Sequence, residues 1–119
     1  MDKTAYKVLT HDQFAALQAG TFVGAEIDQA DGYIHLSTAS QLTETVTRHF
    51  SGLGDIIIAA VDLAACTDRI RWEPSRHGDL FPHMYGHLRW GDVVAYGTLT
   101  WTEDGKVKLP DCASVLFRT

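Results

Sequence analysis

Apolar residues recur along this chain in short runs, and their spacing alternates between that of strands and that of helices. Tyr6-Lys7-Val8-Leu9 predicts a short strand. Thr10 with Gln13 three positions on has the form of a capping box, and Phe14 and Leu17 give the following helix an apolar side that Gly20 closes. The stretch from Thr21 to Ala30 is polar and mixed, and reads as a connection into an Asp31-Gly32 turn. Tyr33 to Leu36 is a strand. Thr38 and Gln41 repeat the capping pattern ahead of a helix whose Leu42, Val46, His49 and Phe50 fall on one face. Gly52 and Gly54 end that helix.

The second half contains more strands. Ile56 to Val61 is a continuous apolar run with β-branched residues at its start, as expected of a strand buried on both faces. Arg69 to Pro74 alternates polar and apolar and stops at the proline. Ser75 to Asp79 is a polar loop, and Phe81 to Gly86 an irregular segment fixed by Pro82 and Gly86. Val93 to Trp101 predicts a long strand, Asp104-Gly105 a hairpin turn, and Val107 to Leu109 its return. Residues 110–119 are a tail. Strands outnumber helices and connections are short, so the class is α+β with a mainly antiparallel sheet in one domain, residues 1–119, its core at about 5–102.

Composition narrows the function classes. The 119 residues suffice for one core, and a net charge of −5 argues against a non-specific nucleic-acid binder. A small anionic ligand stays open, because a few local cations can hold it. Residues 1–10 are polar, without the apolar region of an export leader, and Ile56 to Val61 is far too short to cross a bilayer. The expectation is a soluble cytoplasmic protein with no membrane partner. Cys66 and Cys112 lack paired spacing and are read as reduced packing residues.

Candidate chemistry gathers at three places. By period-two alternation Tyr33, His35 and Ser37 share one face of their strand, while Ile34 and Leu36 take the other. With Ile34 and Leu36 in the core, His35 faces a cleft or solvent, unless it is a structural histidine bonded to a nearby carbonyl. Ser37 and Thr38 stand at a helix start; one serves as N-cap and the other is free for a ligand. Glu73 follows Trp72, whose ring can raise a carboxyl pKa; the plainer reading pairs Glu73 with Arg71 or Arg69. His83 and Tyr85 on the Pro82-braced segment can contact a phosphate or nucleotide. His83 and His87, with His77, suggest a metal only if the stretch is helical, which Pro82 and Gly86 oppose, so no metal is expected. Trp90, Tyr96 and Trp101 form either an exposed patch that supports a dimer or part of the core. Dinucleotide, P-loop, nucleophile-elbow and CxxC motifs are all absent.

Taken together, Asp31-Gly32-Tyr33-Ile34-His35-Leu36-Ser37, Arg71-Trp72-Glu73 and Phe81-Pro82-His83-Met84-Tyr85-Gly86 resemble a family of small, mostly bacterial proteins catalogued as a domain of unknown function. The resemblance spans about residues 5–102. Members look like compact relatives of the ADP-ribosyltransferase fold, a superfamily that also holds RNA 2′-phosphotransferases and diphtheria-toxin-like enzymes. The resemblance implies a split antiparallel sheet with two or three short helices and a cleft for NAD as substrate. It implies that His35 bonds the nicotinamide ribose, with Ser37 and Thr38 behind it. An aromatic, Tyr85, Trp72 or Phe50, stacks on the nicotinamide, and Glu73 orients the attacking group or stabilises charge. His83 and Tyr85 form the substrate wall. The rival from another class is a non-catalytic small-ligand or interaction module that keeps the fold. His35 and Glu73 side chains within about one water-bridged contact of each other favour catalysis; placement on opposite faces of the sheet favours the module.

Overall fold

The computed structural model describes residues 3–110. Strands β1 (Thr4–Leu9), β3 (Ile57–Asp62) and β6 (Val93–Thr98) form one antiparallel sheet in the order β1-β3-β6. Strands β2 (Ile34–His35), β4 (Ile70–Pro74) and β5 (Leu80–Met84) form a second, in the order β2-β5-β4. Among the described residues three α-helices accompany them: α1 (His11–Ala19), α2 (Glu26–Asp31) and α3 (Ala39–His49). The class is therefore α+β with antiparallel pairing throughout. Among the described residues a single bridge joins the sheets, where the Tyr6 and Ser37 backbones exchange hydrogen bonds of 2.8 and 2.9 Å.

Alternation along β1 and β3 separates two cores. Tyr6, Val8, Ile58 and Ala60 face α3 and meet its Leu42 and Val46. Ala5, Leu9, Ala59 and Val61 face the other way, toward Phe14 and Leu17 of α1 and toward Ile34, Leu36 and Met84 of the second sheet. β3 supplies buried residues to both, as its unbroken apolar run predicts. Trp90 and Tyr96 pack around Phe14 at 5.6 and 4.9 Å between ring centroids, while Trp101 stays 48% exposed, so the three do not form one surface patch. Cys66 is fully buried and Cys112 lies outside the described residues, as does the tail beyond Pro110.

Four expectations from sequence need correction. The stretch read as a polar connection contains α2, whose turns end at Gly32 with φ 86°. His49 was placed on the apolar face of α3 and is exposed, whereas Leu42 and Val46 are buried. The strand predicted over 93–101 ends at Thr98, and only an isolated bridge joins Trp101 to Val107 across the Asp104-Gly105 turn. The largest difference is β5. The segment read as irregular on account of Pro82 is the central strand of the second sheet. The register explains how it accommodates the proline. Ile34 and His35 pair with Met84 and His83, so Pro82 falls opposite Leu36, just past the end of β2. An antiparallel residue aims its N–H and C=O at the same neighbour, and the Pro82 carbonyl accepts from Leu36 N–H at 3.2 Å. The missing donor thus faces β2 where its ladder has already ended, rather than β4.

Candidate functional site

The same register sets the two faces of the second sheet. Ile34, Leu36 and Met84 are buried against the core, and Ile70 and Trp72 pack beside them. Trp72, expected as a ligand contact, is therefore on the core side and is not brought to the other candidates. His35, His83 and Arg71 lie in one cross-strand row on the opposite face, with Glu73 two residues beyond Arg71. His35 and Glu73 consequently share a face, with His83 between them. Their rings and carboxylate are linked: the His35 and His83 centroids are 5.6 Å apart, and His83 Nδ1 is 2.8 Å from Glu73 Oε1.

Two tyrosines complete the cluster. Tyr33 stacks on His83 at 4.1 Å and 24°, and also touches His35 and Tyr85 at 4.7 and 5.4 Å. The Tyr85 hydroxyl donates to Glu73 Oε1 at 2.7 Å, and Arg71 lies over the Tyr85 ring at 5.0 Å. Arg69 is held instead by Asp92 through two bonds of 3.2 and 3.1 Å. Glu73 is thus neither a simple surface partner of the two arginines nor a carboxyl raised by the Trp72 ring. Hydrogen bonds from Tyr85 and His83 lower its pKa, and the group is a carboxylate at neutral pH. The same bond raises the Tyr85 phenol above its ordinary value.

On the other side of His35 lies a buried hub that sequence reading missed. Asp28, 2% exposed in α2, accepts from Ala25 N–H at 2.8 Å, His35 N–H at 2.9 Å and His35 Nδ1 at 2.7 Å. Lys7 Nζ, buried mid-strand in β1, reaches the same carboxylate at 2.8 Å and also donates to the His35 carbonyl at 3.1 Å. Burial alone pushes the Asp28 carboxyl up, but the His35 bond and the Lys7 charge outweigh it and hold the pKa at about 2. Burial lowers the Lys7 pKa, with Asp28 opposing. His35 Nε2 meets Asp31 Oδ2 at 3.0 Å, so both ring nitrogens face carboxylates. A lysine within an otherwise apolar strand signals such a partner, because a buried ammonium requires a carboxylate.

Close packing fixes this hub. Gly24 has φ 105°, and a Cβ there would lie 3.0 Å from Asp28 Cβ and 3.2 Å from Ile34 Cδ1. Gly24→Ala is expected to destabilise the protein by about 1–3 kcal/mol, combining backbone strain with displacement of Asp28. Chemical denaturation checks it; an unchanged midpoint would contradict the packing described here.

His35 and His83 also border a cavity of about 550 Å³ that Ser37, Thr45, Arg48, His49, Phe50 and Arg76 help to line. That volume is in the range of small-molecule sites. Thr38 serves as the N-cap position, its N–H bonded by Gln41 Oε1 at 3.0 Å, and it does not line the cavity. Ser37 does, with its hydroxyl 2.9 Å from that of Thr45. His83 lies in a strand and His77 pairs with Glu44, and among the described residues no group of three or more His, Cys, Asp or Glu is spaced to hold a metal ion. No helix among the described residues is long and apolar enough to cross a membrane.

A family described as "Protein of unknown function (DUF952)" matches residues 8–96. The crystal structure of protein CC0527 from Caulobacter crescentus is similar at a TM-score of 0.79 and 34% identity, covering 88% of this chain and 93% of that one. A double mutant of the same protein gives the same values. Its solution NMR structure gives 0.74, also at 34% identity, covering 88% and 91%. No curated protein matches.

Proposed function

The chain belongs to the DUF952 family, and from that premise and the site's geometry we propose that it binds NAD or a related ADP-ribosyl compound at the His35-centred cleft. One observation supports this most: two imidazoles, two phenol rings and a carboxylate meet on one sheet face beside a cavity of about 550 Å³. Flat aromatic surfaces suit a nicotinamide or adenine ring, and His35 Nε2 suits a ribose hydroxyl. In this reading Asp31, 43% exposed at its side chain, yields His35 Nε2 to the ribose and turns to water.

The reaction proposed is cleavage of the nicotinamide–ribose bond. Positive charge develops on the ribose as the bond breaks, and a fixed carboxylate stabilises it more than a strong nucleophile would. Glu73 suits that role because Tyr85 and His83 keep it ionised and oriented. His83 and Tyr85 form the wall, and Tyr33 joins them as a stacking surface.

A second reading also has an observation behind it. Glu73 is not among the residues lining the cavity and meets it only through His83, which fits a binding module without catalysis. Two measurements separate these readings. Isothermal titration with NAD and ADP-ribose at millimolar concentration is expected to give saturable heat; no heat with any adenine dinucleotide would sink the NAD reading. Nicotinamide release, followed by chromatography, is expected from the native protein and reduced at least tenfold in Glu73→Gln. Binding without release selects the module.

A further inference from the structure

We propose that the part of the cavity next to α3 is a diphosphate subsite, where Arg48 and Arg76 hold the anion and Glu44 is the counter-ion it displaces. The proposal rests on the reading above, since it assigns which part of an ADP-ribosyl compound lies there. The cavity wall carries Lys7, Arg48 and Arg76 against one carboxylate, Glu26. Lys7 is already paired with Asp28, which leaves two guanidiniums. Both face Glu44, so positive potential opens to a small anion on this wall as Glu44 turns away.

Glu44 is shared among three cationic or polar partners. Its carboxylate is 2.8 Å from Arg76 Nε, 3.8 Å from Arg48 Nε and 3.3 Å from His77 Nε2. The Arg76 side chain is only 12% exposed, yet its buried Nε–H lacks hydrogen-bond geometry to any acceptor among the described residues. Its contact with Glu44 is therefore one of charge without hydrogen-bond geometry, and a ligand oxygen reaches this donor only as Glu44 turns away. The group is held ready: its guanidinium lies 4.9 Å over the Phe81 ring, and its Nη2 donates to Thr45 Oγ1 at 3.0 Å. The field reaches His49 on the same wall, whose pKa is lowered by burial and by Arg76, Arg48 and His35. A planar guanidinium fixed by stacking, with a second beside it, is suited to the oxygens of a diphosphate.

Because His35 and His83 border the same cavity, a ligand anchored here can place its ribose at the imidazoles. Glu44 then sets a threshold, since the anion must take Arg76 from it.

Isothermal titration of the full chain with inorganic pyrophosphate at fixed ionic strength tests this. Arg48→Gln is expected to weaken binding about tenfold, the effect of one charge-assisted hydrogen bond. Arg76→Gln should weaken it further, and Glu44→Gln should tighten it severalfold by removing the competitor. Arg48 and Glu44 are about half exposed, at 49% and 47%, so their variants keep the test decisive even where Arg76→Gln fails to fold. Pyrophosphate that does not bind, or that binds equally to Arg48→Gln, Glu44→Gln and the native protein, overturns the subsite. Pyrophosphate binding without any binding of NAD or ADP-ribose keeps the subsite and removes the nucleotide reading. Nucleotide binding that is indifferent to Arg48→Gln and Glu44→Gln keeps that reading and removes the subsite.

Discussion

Asp28→Ala is expected to lower the stability of this protein by about 3–5 kcal/mol, the usual effect of removing one partner from a buried charge pair. The substitution removes the acceptor of the Ala25 and His35 backbone N–H groups, of His35 Nδ1 and of Lys7 Nζ together. Its main consequence falls on Lys7, 4% exposed, whose ammonium then stays buried with only the His35 carbonyl to accept from it. For a domain of this size the melting temperature should fall by roughly 10–20 °C. Thermal unfolding followed by circular dichroism measures it, and a fall of less than about 3 °C would contradict a hub role for Asp28.

The same group predicts an acid dependence with a definite sign. The folded Asp28 pKa, about 2, lies below the ordinary 3.8. A depressed carboxyl stabilises the fold fully above its unfolded value and loses that contribution as pH falls through the folded one. The native protein should therefore lose roughly 2 kcal/mol from this group between about pH 4 and pH 2. Asp28→Ala lacks that component, and its stability should fall less steeply across the same window.

The second large effect concerns the ligand. His35→Ala is expected to weaken ADP-ribose binding about 10–100-fold, equivalent to one hydrogen bond to a charged or strongly polarised group. His35 is suited to this because its backbone is pinned in β2 while its ring, 27% exposed at the side chain, borders the cavity. Its loss also removes one of the bonds that hold Asp28, so the variant must be shown to fold before its titration is interpreted. His35→Gln keeps a donor and should recover part of the affinity. Equal affinity in all three proteins would remove His35 from the binding site.

Much of this arrangement is legible along the chain, for identifiable reasons. The strand and cap patterns around Thr10, Thr38 and Ile57 are local, and local rules suffice for them. Alternation through Ile34, His35 and Leu36 correctly puts the imidazole opposite the core. The failures occur where the deciding partner is distant in sequence. α2 has six residues and a single large apolar one, Ile27, which is 51% exposed, so no periodicity marks it. It exists as the carrier of Asp28, whose partner Lys7 is 21 positions away. β5 was obscured by Pro82, because only the register against β2 shows that the missing N–H falls past the end of the ladder. Trp72 was associated with Glu73 because they are adjacent, but adjacent residues in a strand face opposite ways. The same alternation puts Glu73 on the face of His83, a contact that depends on pairing β4 with β5. Arg48 and Arg76 belong to no recognisable motif, and only the tertiary fold brings them to one wall.

The central claim is that the face carrying His35, His83, Tyr33 and Tyr85, with the cavity beside it, is the ligand site of this protein. A crystal structure obtained with ADP-ribose at millimolar concentration tests it most directly. The predicted result is the ribose within hydrogen-bond distance of His35, a wall contact from His83, and the diphosphate against Arg48 and Arg76 with Glu44 turned away. Ligand density at any other surface, or an unliganded cleft at saturating concentration, would contradict it.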